Sequence, residues 1–181
     1  MSEFSESFHL RATSRLEAVE LLRRAGLAGY VFPALDGWVT LLPEGITFED
    51  PDQLVAVNRG TLLRWAYGED HGWGFNVYEG TEEKLSYFCS WEDDLEVDGE
   101  IQHSQLQQLL GLQLQDLAGP TGAQIFYPPS MTVVFETKPA YTFAKAIGLT
   151  HFKWLSYDYM QLDESRGQEL PLGVLAVRGD A

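Results

Sequence analysis

The sequence predicts an α+β fold in which an antiparallel sheet carries helices packed on one side and the C-terminal part is more helical. A strand, a helix and a hairpin follow one another in the first fifty residues, and alternating apolar residues then predict three further strands up to residue 91. Beyond residue 100, apolar residues at helical spacing between glycine and proline stops predict several helices.

The first strand and the first helix are predicted from local signals. Phe8 and Leu10 alternate with polar residues, as in a strand with one buried face. Ser14 stands three residues before Glu17, which is the spacing of a capping box at a helix start. Gly26 ends the helix because it adopts the left-handed conformation without a Cβ clash. The apolar stripe of this helix is Leu16, Val19, Leu22 and Ala25.

A hairpin and a short helix are expected next. Asp36 and Gly37 lie between two apolar runs, and Asp-Gly at such a place is typical of a tight hairpin turn. Asp50 before Pro51 predicts a helix start, and Gly60 closes the short helix that follows.

Three antiparallel strands are predicted between Thr61 and Trp91, separated by bends at Gly68–Gly72 and Glu79-Gly80. Because side chains alternate along a strand, one face of this meander carries most of the aromatic residues. The residues predicted on that face are Leu63, Trp65, Tyr67, Trp73, Phe75, Val77, Leu85, Tyr87, Cys89 and Trp91.

An acidic segment over residues 92–100 contains six carboxylates and no basic residue. Such a break suggests a boundary, so we expect a lobe over residues 1–91, a connector over 92–100 and a mostly helical lobe over 101–181. The two lobes are expected to pack together as one globular unit.

The C-terminal part is predicted to contain a helix from Ile101 to Leu117, which residues 119–122 end, and a short strand over 131–135. Pro139 begins another helix, which Gly148 stops. Residues 151–160 have the pattern of a helix capped by Thr150, although their Trp and Tyr residues also suit a strand. A closing strand is expected within residues 173–178.

The composition limits the classes of function. The chain has 181 residues and a formal net charge of −15, which disfavours nucleic acid and anionic membranes as partners, since both normally require Lys and Arg. Its longest apolar stretch is too short to cross a bilayer. A lone Cys89 forms no internal disulfide, and the acidic N-terminus is unlike a signal peptide, so a cytoplasmic protein is expected.

The bend formed by Glu69, Asp70 and His71, followed by Trp73, is the candidate ligand site. Two carboxylates and an imidazole at one bend suggest a divalent metal or a general acid and base near a small-molecule pocket. A solvated polar turn explains the same residues, because adjacent side chains rarely converge on one ion. No other His residue has the spacing of a metal-ligand pair with His71.

No catalytic residue and no cofactor are predicted. Cys89 lies within a strand pattern and has no local base to activate it. The phosphate loop, the dinucleotide fingerprint and the Gly-x-Ser-x-Gly motif are all missing from the sequence. An enzyme is therefore disfavoured, although it stays an alternative.

A non-catalytic interaction module is the favoured hypothesis, for instance an immunity-type or antitoxin-type inhibitor that covers a basic protein. Acidic side chains would steer such a partner to the surface, and a neighbouring aromatic residue would anchor it. The alternative for the acidic residues is a solvated linker, and the alternative for the aromatic residue is a place in the buried core. A homo-oligomeric structural subunit is a third hypothesis. The predicted contact residues are Trp91, Glu92, Asp93, Asp94, Glu96 and Asp98.

Overall fold

An antiparallel sheet organises the chain in the computed structural model, which describes residues 2–112 and 120–179. This confirms the α+β class. Eight strands are described, and their order across the sheet is β7-β6-β5-β4-β1-β3-β2-β8. They are β1 (Phe4–Arg11), β2 (Gly29–Val31), β3 (Trp38–Pro43), β4 (Thr61–Gly68), β5 (Gly72–Glu79), β6 (Glu82–Ser90), β7 (Glu96–Asp98) and β8 (Leu175–Val177).

Seven helices are described, two before the central meander and five after it. They are α1 (Arg15–Ala25), α2 (Asp52–Val55), α3 (His103–Leu110), α4 (Pro120–Phe126), α5 (Met131–Thr137), α6 (Pro139–Ala146) and α7 (Tyr157–Ser165).

Helices cover both faces of the sheet, which corrects the expectation that they lie on one side. Leu62 and Leu63 are neighbours in β4 and therefore point to opposite faces. Leu62 packs with the buried stripe of α1, so we call its side the α1 face. Leu63 packs in the cluster that contains Phe143 of α6, so we call the other side the α6 face.

Strand β1 is buried on both faces because it lies in the middle of the sheet, between β3 and β4. The sequence pattern predicted only one buried face. His9, on the α6 face, bonds through Nε2 with Ser7 Oγ at 2.8 Å and through Nδ1 with Thr40 Oγ1 at 3.1 Å. Burial lowers the pKa of His9 to about 3, so the imidazole stays neutral inside the sheet.

Most local signals of the first ninety residues are confirmed, with two corrections: Leu16, expected in the apolar stripe of α1, is 67% exposed, and α2 ends at Val55 rather than at Gly60. Ser14 Oγ accepts the N–H of Leu16 at 3.3 Å, and Gly26 ends α1 in the left-handed conformation. Asp36 and Gly37 both have positive φ, as a tight hairpin turn before β3 requires. Strands β4, β5 and β6 form the expected antiparallel meander.

Several C-terminal elements differ from prediction. The strand predicted over residues 131–135 is wrong, because these residues belong to helix α5, which Ser130 caps and in which Val134 is the buried residue. Helix α7 begins after Ser156, whose Oγ accepts the N–H of Tyr159, so the predicted start at Thr150 is wrong. The helix predicted from Pro139 and the closing strand β8 are both confirmed.

The first helix after the acidic segment is shorter than expected. Helix α3 ends at Leu110, because Gly111 takes the left-handed conformation, and the predicted end at Leu117 lies outside the described residues. Pro120, expected within a helix stop, instead begins α4.

The acidic segment is not a plain connector, because β7 within it pairs with β6 at one edge of the sheet. Strand β8 pairs with β2 at the other edge. The division into two lobes stays a prediction. Within the described part of the chain, no helix is long and apolar enough to span a membrane.

Candidate functional site

The predicted bend at Glu69, Asp70 and His71 connects β4 to β5 and separates two cavities on opposite faces of the sheet. His71 lines a cavity of about 510 Å³ on the α1 face. Glu69 lines a cavity of about 270 Å³ on the α6 face, and Asp70 is exposed at the tip of the bend.

The bend is held by contacts to other parts of the chain. His71 Nδ1 lies 3.0 Å from Glu92 Oε2, and the Glu69 carboxylate accepts the N–H of Glu3 at 3.0 Å. Among residues 2–112 and 120–179, no three His, Cys, Asp or Glu side chains are grouped as metal ligands. The metal interpretation of this bend therefore has no geometric support.

Two tryptophans that the sequence singled out belong to the core. Trp73 is completely buried, and its indole N–H has no partner among the described residues. Trp91 is 8% exposed and donates its indole N–H to the Glu69 carbonyl at 3.0 Å. The burial of Trp91 corrects its expected role as an exposed anchor for a partner, although its ring forms part of the smaller cavity's wall. Trp73 lines neither cavity.

The five acidic residues predicted to contact a partner are exposed, and we call them the acidic edge. Opposite residues in antiparallel strands point to the same face, and Asp98 pairs with Phe88 while Glu96 pairs with Ser90. Part of the acidic edge therefore borders the α1 face beside Phe88. Its members are Glu92, Asp93, Asp94, Glu96 and Asp98.

The larger cavity is an open groove with phenylalanine walls, and we call it the phenylalanine groove. Phe4 and Phe48 stand on one side and Phe88 on the other, with 38%, 48% and 47% of their surfaces exposed. Small residues of β4 and β5 form the floor between these walls. The floor residues are Ala66, Gly68, Gly72 and Gly74.

Gly74 keeps the floor low because the neighbouring strand leaves no room for a side chain. A Cβ at this position would lie 2.6 Å from the carbonyl oxygen of Tyr87 and 2.7 Å from Cδ2 of Phe88. Only glycine fits, so the sheet surface stays open to an occupant between the phenylalanines.

Buried Glu6 holds one wall of the groove in position. Its carboxylate accepts the backbone N–H of Phe48, whose φ of 56° is in the left-handed region that non-glycine residues rarely adopt. Arg64 Nε donates to the same carboxylate at 2.5 Å. Burial raises the pKa of Glu6 despite the attraction of Arg64.

Beyond Arg64 the groove continues into a shallow acidic depression. The groove and the depression are both lined by Phe48, Arg64 and Asn76. Hydrogen bonding and charge repulsion from Asp50 raise the pKa of Asp52, so these two carboxylates lie in each other's field. We call the acidic members of this depression the acidic end: Glu49, Asp50, Asp52 and Glu83.

Sequence reasoning pointed to His71, which lines the groove, but missed the phenylalanines that form its walls. The closest signal was Phe88, a large apolar residue on the otherwise polar face of its strand pattern, opposite Gly74. An exposed Phe beside glycines that alternate along the next strand indicates an open apolar sheet surface. Phe4 and Phe48 carried no such signal, because only the tertiary fold brings them to β4.

Cys89 is buried in the sheet, and burial raises the pKa of its thiol, which opposes the formation of a reactive thiolate.

No protein-family model matches the chain, and comparisons with curated proteins and with solved structures give no match either.

Proposed function

We propose that this protein is a non-catalytic binding module for a basic protein, and that the phenylalanine groove with its acidic surroundings is the contact surface. The observation that carries the proposal is an open apolar groove with carboxylates at two of its borders. A partner segment with an apolar anchor and flanking Lys or Arg side chains has the matching chemistry.

The apolar part supports an anchor residue. Three phenylalanines that are each more than a third exposed form one concave surface, and such contiguous apolar surface commonly marks a binding site. The cavity volume of about 510 Å³ leaves room for a large aromatic or aliphatic side chain over the glycine floor.

The charged part supports a basic partner. The acidic end borders the groove beyond Arg64, and Glu96 and Asp98 border it beyond Phe88. Together with the net charge of −15, these carboxylates would attract a cationic segment and speed its association at low salt. Glu6 already neutralises Arg64, which reduces the opposing positive charge inside the groove.

The experiment is selection of random peptides displayed on phage against the immobilised protein, followed by binding measurements on the selected peptides. We expect enrichment of an aromatic or large aliphatic residue within a few positions of Lys or Arg. Enrichment of acidic peptides, or none above an unrelated immobilised protein, would contradict the proposal.

Variants locate the binding surface. Phe88→Ala removes one wall and Ala66→Phe fills the floor, and each should weaken a selected peptide about tenfold. Leu162→Ala truncates an apolar residue of similar exposure on α7 and should leave the affinity unchanged.

A second pair of variants tests the charge. The double substitution Glu96→Lys with Asp98→Lys should slow association several-fold at low salt, with a smaller effect at high salt. Glu17→Lys with Glu20→Lys makes the same change in net charge on exposed α1 and should have a clearly smaller effect. Equal effects of the two pairs of substitutions would mean that the net charge of the protein, rather than the carboxylates at the border of the groove, attracts the peptide.

A further inference from the structure

The cavity on the α6 face, opposite the phenylalanine groove, has a different chemistry. It has a volume of about 270 Å³ and lies where the bend after β4 meets the α5–α6 junction and the loop before α7. Phe135 and Trp154 stand at its mouth, 58% and 49% exposed. We call it the aromatic cavity; its rings are Tyr67, Trp91, Phe135, Tyr141 and Trp154.

A buried carboxylate forms part of the wall. Glu3 is 2% exposed and accepts hydrogen bonds from Ser5 Oγ at 2.6 Å, from the backbone N–H of Trp154 at 2.7 Å and from the Tyr141 hydroxyl. Glu69 lines the same cavity. Among the described residues, the four ion pairs include neither Glu3 nor Glu69, so no cation of the chain pairs with these carboxylates.

Backbone strain coincides with this wall. Trp154 has a φ of 49°, a conformation that is rare for a bulky residue, and its N–H is held by Glu3. This bond keeps the indole at the mouth of the cavity. Strain that the surrounding structure maintains is frequently found at binding sites.

The lining has a net negative charge and favours positive charge. Glu3 and Glu69 are opposed by one lining ammonium, that of Lys138. Burial and the nearby carboxylates of Glu69 and Glu3 raise the pKa of Tyr67 to about 12, which agrees with a negative potential. The ring of Tyr141 already attracts one ammonium, because Lys153 Nζ lies 4.5 Å from its centroid.

From this arrangement we infer that the aromatic cavity binds a small organic ammonium, such as a quaternary or alkylated amine. Aromatic faces attract a cation through their quadrupole, and a quaternary ammonium needs no hydrogen-bond acceptor, so rings and carboxylates together suffice to hold it. The modest volume suits a head group rather than a drug-sized molecule. This site is independent of the proposed function, because it lies on the opposite face of the sheet.

The test uses choline as the probe and 3,3-dimethyl-1-butanol, its neutral carbon isostere, as the matched control. Isothermal titration calorimetry of the full chain should give saturable choline binding at least about tenfold tighter than binding of the isostere. Saturation-transfer NMR should show contact between the N-methyl protons and the protein. Equal affinity for the isostere, or no saturable choline binding, would overturn the inference.

Variants at the cavity give opposite expected changes. Phe135→Ala should weaken choline binding about fivefold, and Glu69→Gln should also weaken it, whereas Lys138→Gln should strengthen it by removing the opposing charge. Leu162→Ala is the control for truncation of an exposed apolar residue. Circular dichroism of each variant checks folding, and unchanged affinity in a folded Phe135→Ala protein would count against the site.

This experiment is separate from the peptide selection. If the protein binds choline but selects no peptides, the inference about the aromatic cavity is supported and the proposed function of the phenylalanine groove is contradicted. If it selects peptides but does not bind choline, the proposed function is supported and the inference about the aromatic cavity is overturned.

Discussion

The phenylalanine groove and the aromatic cavity are positioned in the same way but have different chemistry. At each, a buried glutamate at the start of the chain accepts the N–H of an aromatic residue with positive φ: Glu6 holds Phe48, and Glu3 holds Trp154. Because residues 3 and 6 point to opposite faces of the sheet, the short segment from Glu3 to Glu6 at the start of β1 positions both sites.

The difference lies in what else each glutamate contacts. Glu6 pairs with Arg64, so its charge is neutralised and the groove beside it stays largely apolar. Glu3 has hydrogen-bond donors but no cation of the described chain, so its charge remains part of the cavity. A buried carboxylate can thus support an apolar surface or an electronegative one, depending on whether a cation accompanies it.

Glu3→Ala should have the largest effect on stability. It removes the acceptor of three hydrogen bonds and leaves the buried Ser5 hydroxyl and the Trp154 N–H without it. We expect a loss of about 3–4 kcal/mol in the free energy of unfolding, measured by urea denaturation. Glu3→Gln, which keeps one oxygen acceptor, should lose less; equal losses would mean that hydrogen bonding is not the cause.

Glu6→Ala should cost less, about 2–3 kcal/mol in the same measurement. Arg64 is partly exposed and can be hydrated once its partner is gone, and the desolvation cost that raises the pKa of Glu6 is relieved. Binding of a selected peptide should also weaken, since Phe48 loses its anchor. A loss larger than that of Glu3→Ala would contradict the comparison between the two glutamates.

His9, on the α6 face of β1, makes stability depend on pH. Its folded-state pKa of about 3 lies below the ordinary 6.5, so between these values the unfolded chain binds a proton that the folded protein does not. Stability should therefore fall by about 2 kcal/mol from this residue between pH 7 and pH 5.

The contribution of His9 is measured as a difference. Urea denaturation at both pH values should show a smaller loss between pH 7 and pH 5 in His9→Gln than in the unsubstituted protein. The difference is needed because Glu6, with its raised pKa, contributes with the opposite sign as pH falls. Identical pH dependence of the two proteins would assign the acid sensitivity to other groups.

The bend between the two cavities should matter least. His71 and Glu92 form an exposed pair, and such pairs contribute little in water. His71→Ala should change the free energy of unfolding by about 0.5 kcal/mol or less, measured by thermal and urea denaturation. A larger loss would indicate that the bend supports one of the cavities.

Much of the fold could be predicted because its signals are local. Ser14, Gly26 and the Asp36-Gly37 turn specify their own backbone conformation, and alternation over β4 to β6 specifies a meander. The strand predicted over residues 131–135 was wrong because β-branched residues favour strands only weakly, whereas the Ser130 cap favours a helix.

The candidate sites were predicted only in part. The sequence drew attention to the bend at residues 69–71 and to the acidic edge, and both border cavities in the structure. It did not indicate that Phe48 and Trp154 stand at cavity mouths. Burial depends on which strands become neighbours, and composition and periodicity do not report that.

By itself, the sequence determined the strong negative charge, the α+β class and the local turns and caps, because these follow from residue type and short-range spacing. The tertiary structure decided that β1 lies in the centre of the sheet, with Glu3 facing one cavity and Glu6 facing the other side. Residues as far apart as Glu3 and Trp154 meet only after the whole chain has packed, so the chemistry of both cavities is a property of the fold.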